Sequence, residues 1–355
     1  MKYITLIYLL LFSLLFVSPA HSANIINVKF AHTFPTQSPF GLGAKNFQDL
    51  ANKRLEGKVK VNVFPEAQLG NSRQLLAALE NNTLEFALIR HYQFTKFSQN
   101  FKIYELPFLF EDFGTLQQFQ NSEPGKAMLS EIGKKAGLKT FGFWNLGMRQ
   151  LSNKQKPIRL PEDIKGLKII TPTIPPIIDA FKAIGAIPTS IPFNEVYDAL
   201  KMGAFDAQES PLPLFYYQKI YEVQKYVTLT NHIYEGFILV ANQKFWDKLP
   251  DNIRDKLFKV SVEVSKLVNQ SVVDDSVLTL SKIEKAGIKI VSLTGEELGL
   301  WRKAMLPVWG KYEKEIDRSI FMTAYKTGGS GGGLDPCLPG TCRCPDTSCK
   351  KECCY

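Results

Sequence analysis

From Asp251 to Ala286 one helical period runs without a break. Apolar residues recur at Ile253, Leu257, Val260, Val264, Leu267 and Val268, close to the 3.6 spacing of a helix with one buried face. Pro250 stands before it and Gly287 after it, where start and stop signals belong. About 35 residues is long for a helix inside one globular domain. Either it is kinked near Asp274-Asp275 or it spans two domains. The chain has 355 residues, enough for roughly two domains at about 150 residues each.

The rest of the body alternates short β-branched runs with helical stretches, which predicts an α/β protein. Val28-Lys29-Phe30-Ala31 reads as a strand, and Ser38 to Arg54 as a helix with Phe40, Ala44, Phe47 and Ala51 on one face. Lys58 to Phe64 alternates valines with polar residues and reads as a strand. Asn71 or Ser72 caps a helix through Glu80, and Glu85 to Arg90 is a further strand. Asn194 is an N-cap for a helix that buries Val196, Ala199 and Leu200. The composition, 45% apolar and 22% charged, supplies two ordinary cores. The net charge of +9 comes from Lys and Arg scattered among acids. That pattern reads as a solvated basic surface, so no nucleic-acid partner is expected.

Both ends stand apart from the fold. Lys2, the apolar run Ile4 to Val17 and the small residues from Ser18 to Ala23 form a leader with a cleavage site, so residues 1–23 are expected to be removed on export. The apolar run is too short for a comfortable membrane span. Gly328 to Gly333 is a flexible linker. All six cysteines follow it, in residues 334–355, and the body has none. A body without cysteines suits an exported domain large enough to fold without staples.

Enzyme motifs are missing from the body. There is no HExxH zinc site and no Walker loop, and Gly41-Leu42-Gly43 lacks the third glycine of a dinucleotide fingerprint. His32 and His91 are candidates to line a cleft, although lone histidines are more often structural. Arg149, in Gly147-Met148-Arg149-Gln150-Leu151-Ser152-Asn153, is the strongest single candidate. Its planar fork matches a carboxylate or phosphate, and the plainer alternative is a salt bridge. Arg90 ends a strand, where ligands of α/β proteins gather. Arg90 and Arg149 are expected to face a common cleft.

The run Lys139–His232 joins LKTFGFWNLGMRQLSN, PEDIKGLKIITP, IGAIPTSIPFNEVYDALKMGAFDAQESPL and KIYEVQKYVTLTNH. In order and spacing it resembles the substrate-binding subunits of TRAP transporters, the DctP-type family. Phe64-Pro65-Glu66-Ala67-Gln68-Leu69-Gly70 matches a turn of the same family, and the likeness covers nearly all of 24–325. The resemblance implies an α/β, two-lobe periplasmic-binding-protein-like fold with a long helix spanning both lobes. It places lobe I at 24–146 with a return at 236–275, lobe II at 147–235, and the C-terminal helices 276–327 against lobe II. It implies a periplasmic monomer that captures a small organic acid between the lobes and delivers it to membrane permease subunits. No bond is made or broken, and the body needs no cofactor.

The resemblance also implies site residues. Arg149 would contact ligand or close the cleft. Phe193 would border the ligand, and His32 or Thr33 would donate to it. Glu209 and Ser210, within Phe205-Asp206-Ala207-Gln208-Glu209-Ser210-Pro211, match the family's DGQENP, with Ala207 in place of a glycine and Ser210 in place of an asparagine that touches ligand. The main departure is Ile170, where the family carries a carboxylate-clamping arginine. Three explanations compete: a ligand without a carboxylate, an anion held instead by Arg90, or a more apolar ligand with Ile170 as pocket wall. The tail resembles metallothionein. Cys337, Cys342, Cys344, Cys349, Cys353 and Cys354 would hold zinc or cadmium. The rival is a disulfide peptide with fifteen possible pairings. An exported enzyme on a similar fold and a carrier for a metal-sequestering tail are the alternatives from other classes.

Overall fold

A computed structural model describes residues 25–328. The leader, the linker beyond Gly328 and the six cysteines lie outside the described residues. The strands in chain order are β1 (Ile26–Ala31), β2 (Val59–Phe64), β3 (Phe86–Arg90), β4 (Leu138–Asn153), β5 (Lys168–Ile170), β6 (Ile187–Thr189), β7 (Ala207–Pro211), β8 (Tyr226–Leu229), β9 (Tyr234–Asn242) and β10 (Lys289–Ser292). They form a mixed sheet in the order β2-β1-β3-β9-β4-β7-β5-β6, with β8 joining β4 and β10 joining β8.

Two lobes share this sheet. In the first, β1 runs parallel to β2 and β3, while β9 lies antiparallel between β3 and β4. In the second, β5 runs parallel to β6 and β7, and β4 pairs antiparallel with β7 and β8. The joint is β4, sixteen residues long. Its Leu138–Met148 part pairs with β9, and from Arg149 onward it pairs with β7. Two of its glycines mark bulges: the register shifts between Thr140 and Gly142 and again between Asn145 and Gly147. Gly147 has φ 115°, a conformation open to glycine and rare for other residues.

The long helix is one continuous element, Asp251–Lys285. Ile253, Leu257, Val260, Val264, Val268 and Val272 pack into the first lobe against Phe40, Ala44 and Phe47 of the helix Pro39–Arg54. Ile283 packs into the second lobe's cluster with Val196, Leu200 and Ile288. Fully burying one such side chain, Leu257 for example, contributes about 1.5–3 kcal/mol. Leu267 leaves the stripe and is 49% exposed. Polar bonds fix the helix to the joint. Trp144 Nε1 donates to Ser265 Oγ at 2.8 Å. The Asn145 amide donates to Asn269 Oδ1 at 2.8 Å, which satisfies backbone freed by the second bulge.

The C-terminal segment corrects one expectation. Its helices do not lie only against lobe II. Trp301 of the helix Gly295–Met305 donates to the Arg159 carbonyl, and Tyr312 bonds Asp179, both in the second lobe. Trp309 donates to the Pro107 carbonyl, and the helix Arg318–Thr327 packs on the helices Phe113–Asn121 and Glu123–Ala136 of the first lobe. The segment therefore straps the two lobes together.

Candidate ligand-binding site

Arg149 sits where β4 passes from one lobe to the other, and the pairing there surrounds it with acids. Glu209 comes from β7 and Glu235 from β9. Arg149 Nε contacts Glu209 Oε2, and Nη2 donates to Glu209 Oε1 at 3.0 Å and to the Glu209 carbonyl at 2.6 Å. Nη1 donates to Glu235 Oε2 at 2.6 Å. His232 Nε2 lies 3.2 Å from Glu209 Oε2, and its Nδ1 is 2.7 Å from Thr230 Oγ1. All of these side chains are buried.

Arg90, at the end of β3, reaches the same cluster from the first lobe. Its Nη1 donates to Glu235 Oε1 at 2.8 Å, so Glu235 gives one oxygen to each arginine. The Arg90 guanidinium lies 5.1 Å from the Phe237 ring centroid and 5.6 Å from that of Phe193. Phe237 shares a face of β9 with Glu235, while Phe193 belongs to the second lobe, so this contact crosses the seam. Charge-assisted pairing with aromatic faces suits a guanidinium here. Two arginines and two glutamates leave the cluster formally neutral.

Burial raises the Glu235 carboxyl, but Arg90 and Arg149 outweigh it and hold the group below the usual range. Burial lowers the Arg149 guanidinium, and Glu209 and Glu235 more than reverse this. Burial brings His32 and His91 down to about 4, so both are neutral near pH 7. His91 Nδ1 bonds the Gly236 carbonyl at 3.1 Å, and His32 Nδ1 accepts from the Phe34 amide at 3.2 Å. Their Nε2 atoms have no hydrogen-bond partner.

The remaining sequence candidates scatter around this cluster. Phe193 is 39% exposed and touches Arg90 as described. Thr33 is half-buried in the loop after β1. Ile170 lies in the second lobe's apolar cluster beside Val196, Leu200, Phe215 and Val227, and is 5% exposed. The expectation that Asn194 caps a helix is corrected. Residues Phe193–Glu195 form a 3-10 turn, and the helix Val196–Lys201 begins after Glu195 with no side-chain cap. Ser210 Oγ, Thr171 Oγ1 and Ser190 Oγ are buried without a hydrogen-bond partner.

Glu235, Phe237 and His232 were not among the sequence candidates. One signal was present. Tyr234–Asn242 is otherwise free of charge and is buried at all nine positions, so its single acid needs a cation. Among the described residues no cluster of His, Cys, Asp or Glu is arranged to hold a metal ion.

Two lobes joined by a shared sheet, a helix crossing both and a charged cluster at the seam define a solute-binding protein of the periplasmic type. The family model for bacterial extracellular solute-binding protein, family 7 (DctP) matches residues 30–315, and the chain belongs to that family. It is 34% identical over 302 residues to the C4-dicarboxylate-binding periplasmic protein DctP of Vibrio cholerae, across 84% of this chain and 90% of the relative. A TRAP periplasmic solute-binding protein from Shewanella oneidensis, solved with bound succinate, is 31% identical with a TM-score of 0.82, covering 86% of this chain and 99% of that one. One from a Polaromonas species, bound to D-erythronate, is 26% identical with a TM-score of 0.78, covering 84% and 98%. Its relatives serve transporters, and this chain is likewise a binding protein and not an enzyme.

Proposed function

We propose that this chain captures a small organic acid between its lobes in the periplasm and hands it to the membrane permease subunits of a TRAP transporter. The observation that supports this best is Arg90. Among the described residues its guanidinium hydrogen-bonds through Nη1 alone, its side chain is 13% exposed, and it lies between aromatic rings of both lobes. Nε and Nη2 are thus left to meet a carboxylate, whereas Arg149 already spends most of its donors on Glu209 and Glu235. The two solved relatives named above hold succinate and D-erythronate, both carboxylates, and the Vibrio cholerae relative is named for binding C4-dicarboxylates.

Calorimetric titration of the purified protein against organic acids and uncharged polyols tests this. Arg90→Gln should weaken binding of whichever acid binds about 10- to 100-fold, the loss of a charge-assisted hydrogen bond. If only uncharged compounds bind, the organic-acid reading is wrong.

The ends complete the proposal. The leader directs export and is removed, and the body acts as a monomer. The six tail cysteines bind zinc or cadmium, or else form disulfides. Metal stoichiometry before and after removal of residues 328–355 decides between those two, and also tests whether the body is merely a carrier for the tail.

A further inference from the structure

The end of the first lobe away from the seam carries a cavity of about 530 Å³. Its floor is the turn where the helix Glu123–Ala136 passes into β4. Its walls are the helix Gln243–Lys248 and the first turn of Asp251–Lys285. Thr140 on this floor and Arg149 at the seam lie on the same strand, roughly 25 to 30 Å apart at the usual rise per residue. The cavity is therefore separate from the site described above.

Side chains that can only donate hydrogen bonds converge on it. Lys134 and Lys139 line it, and among the described residues neither forms an ion pair. Their neighbour Lys135 is taken by Glu131 at 2.6 Å, and Lys139 Nζ lies 5.5 Å from the Phe258 ring centroid. Arg254 lines the opposite wall, and its acid partner is Asp251, whose side chain is 91% exposed. A pair so open to water holds a guanidinium weakly. Trp246 also lines the cavity and is 5% exposed, and its indole N–H has no hydrogen-bond partner among the described residues. A buried indole N–H usually finds one.

The acceptors around the cavity are already used. Asp247 is the one acid in its lining and accepts from Gln243 Nε2 at 2.7 Å. The Gly137 carbonyl accepts from the Gln243 amide at 3.1 Å, and the Gly133 carbonyl from the Gly137 amide. Ammonium, guanidinium and indole groups cannot accept. A single group with several acceptor oxygens and more than one negative charge satisfies them together. A phosphate ester brings three such oxygens and about two charges near pH 7, and a carboxylate only two oxygens and one charge.

We propose that this cavity is a second binding site, selective for a phosphate group, with Lys134, Lys139, Arg254 and the Trp246 N–H as its donors. The space exceeds a single phosphate, so the group arrives on a larger molecule, either a soluble phosphate ester or a phospholipid headgroup. The site acts apart from the solute at the seam and does not rest on the organic-acid reading.

Calorimetric titration of the full chain with pyrophosphate and glycerol 3-phosphate tests it, beside flotation with phosphatidylcholine vesicles with and without phosphatidylglycerol. At least one phosphate probe should bind with Kd below ~1 mM. Lys134→Gln combined with Lys139→Gln should weaken that binding ~10-fold or more. Trp246→Phe keeps the ring, removes the N–H and should weaken it ~3-fold or more. Solution binding that both variants weaken supports the proposal and assigns a soluble ester. Vesicle binding that needs phosphatidylglycerol and is lost in the lysine variant supports it and assigns a headgroup. Binding of no probe overturns the proposal. So does binding that either folded variant leaves unchanged, since it then comes from the seam or from the scattered basic surface.

Discussion

The seam and the strand ends of the second lobe lie side by side, yet their polar groups are treated in opposite ways. At the seam every charge is answered: Arg149 grips Glu209 and Glu235, Glu235 also holds Arg90, and His232 bonds Glu209. At the strand ends Thr171, Ser190 and Ser210 are buried and answered by nothing. Saturated polar groups hold a structure together, because each desolvated charge has its partner. Unsaturated ones weaken the protein when it is alone and gain most when a ligand arrives. The contrast separates the residues that keep the lobes in register from those left without a partner.

The largest expected effect comes from breaking the saturated side. Arg149→Met leaves Glu209 and part of Glu235 buried without a cation and should cost about 3–5 kcal/mol. Urea denaturation of the variant measures it, and a loss below about 1 kcal/mol would mean the seam is not a unit.

Acid should act on the same region next. His32 and His91 are held at about 4, against an ordinary 6.5. Between those values the unfolded chain binds protons that the folded one refuses, so stability falls as pH drops from 6.5 toward 4. The Glu235 carboxyl, held below its ordinary 4.5, adds a further loss as pH falls through its folded value. Burial pushes the Glu105 carboxyl up to about 8, which opposes this loss above pH 4.5. The melting temperature should therefore fall more between pH 6.5 and 4.5 in the wild type than in the double variant His32→Gln, His91→Gln. An unchanged curve would remove the histidines from the account.

The smallest effect has the opposite sign. Thr171→Val removes an unpaired buried hydroxyl at nearly constant shape, so the ligand-free protein should gain up to about 1 kcal/mol. A clear loss of stability instead would show that Thr171 is paired, and the contrast with the seam would fail at that residue.

Much of this was legible in the chain. The period from Asp251, the α/β alternation and the positions of Arg90 and Arg149 follow from residues close together in sequence. The spacing of Ile253, Leu257, Val260 and Val264 is itself the physical cause of a buried helical face. Other features were hidden for definite reasons. Nothing local marks Gly142 and Gly147 as bulges, and only the pairing of β4 with β9 shows the register shifts there. Asn194 has the chemistry of a cap, yet the 3-10 turn at Phe193–Glu195 starts the helix later. Glu235 reads as an ordinary acid until the sheet sets it beside Arg149, 86 residues away, and Arg90, 145 away.

The sequence alone determined the class of fold, the family and the identity of the two cations, because periodicity and motif spacing are local properties. Tertiary structure decided what those cations are free to do. Sheet order brings Glu209 and Glu235 onto Arg149 and leaves an edge of Arg90 unpaired. The same order leaves the hydroxyls of Thr171, Ser190 and Ser210 unpaired near the strand ends and turns Ile170 into core. A charged side chain acts through whatever partners remain to it, and long-range strand pairing assigns those partners.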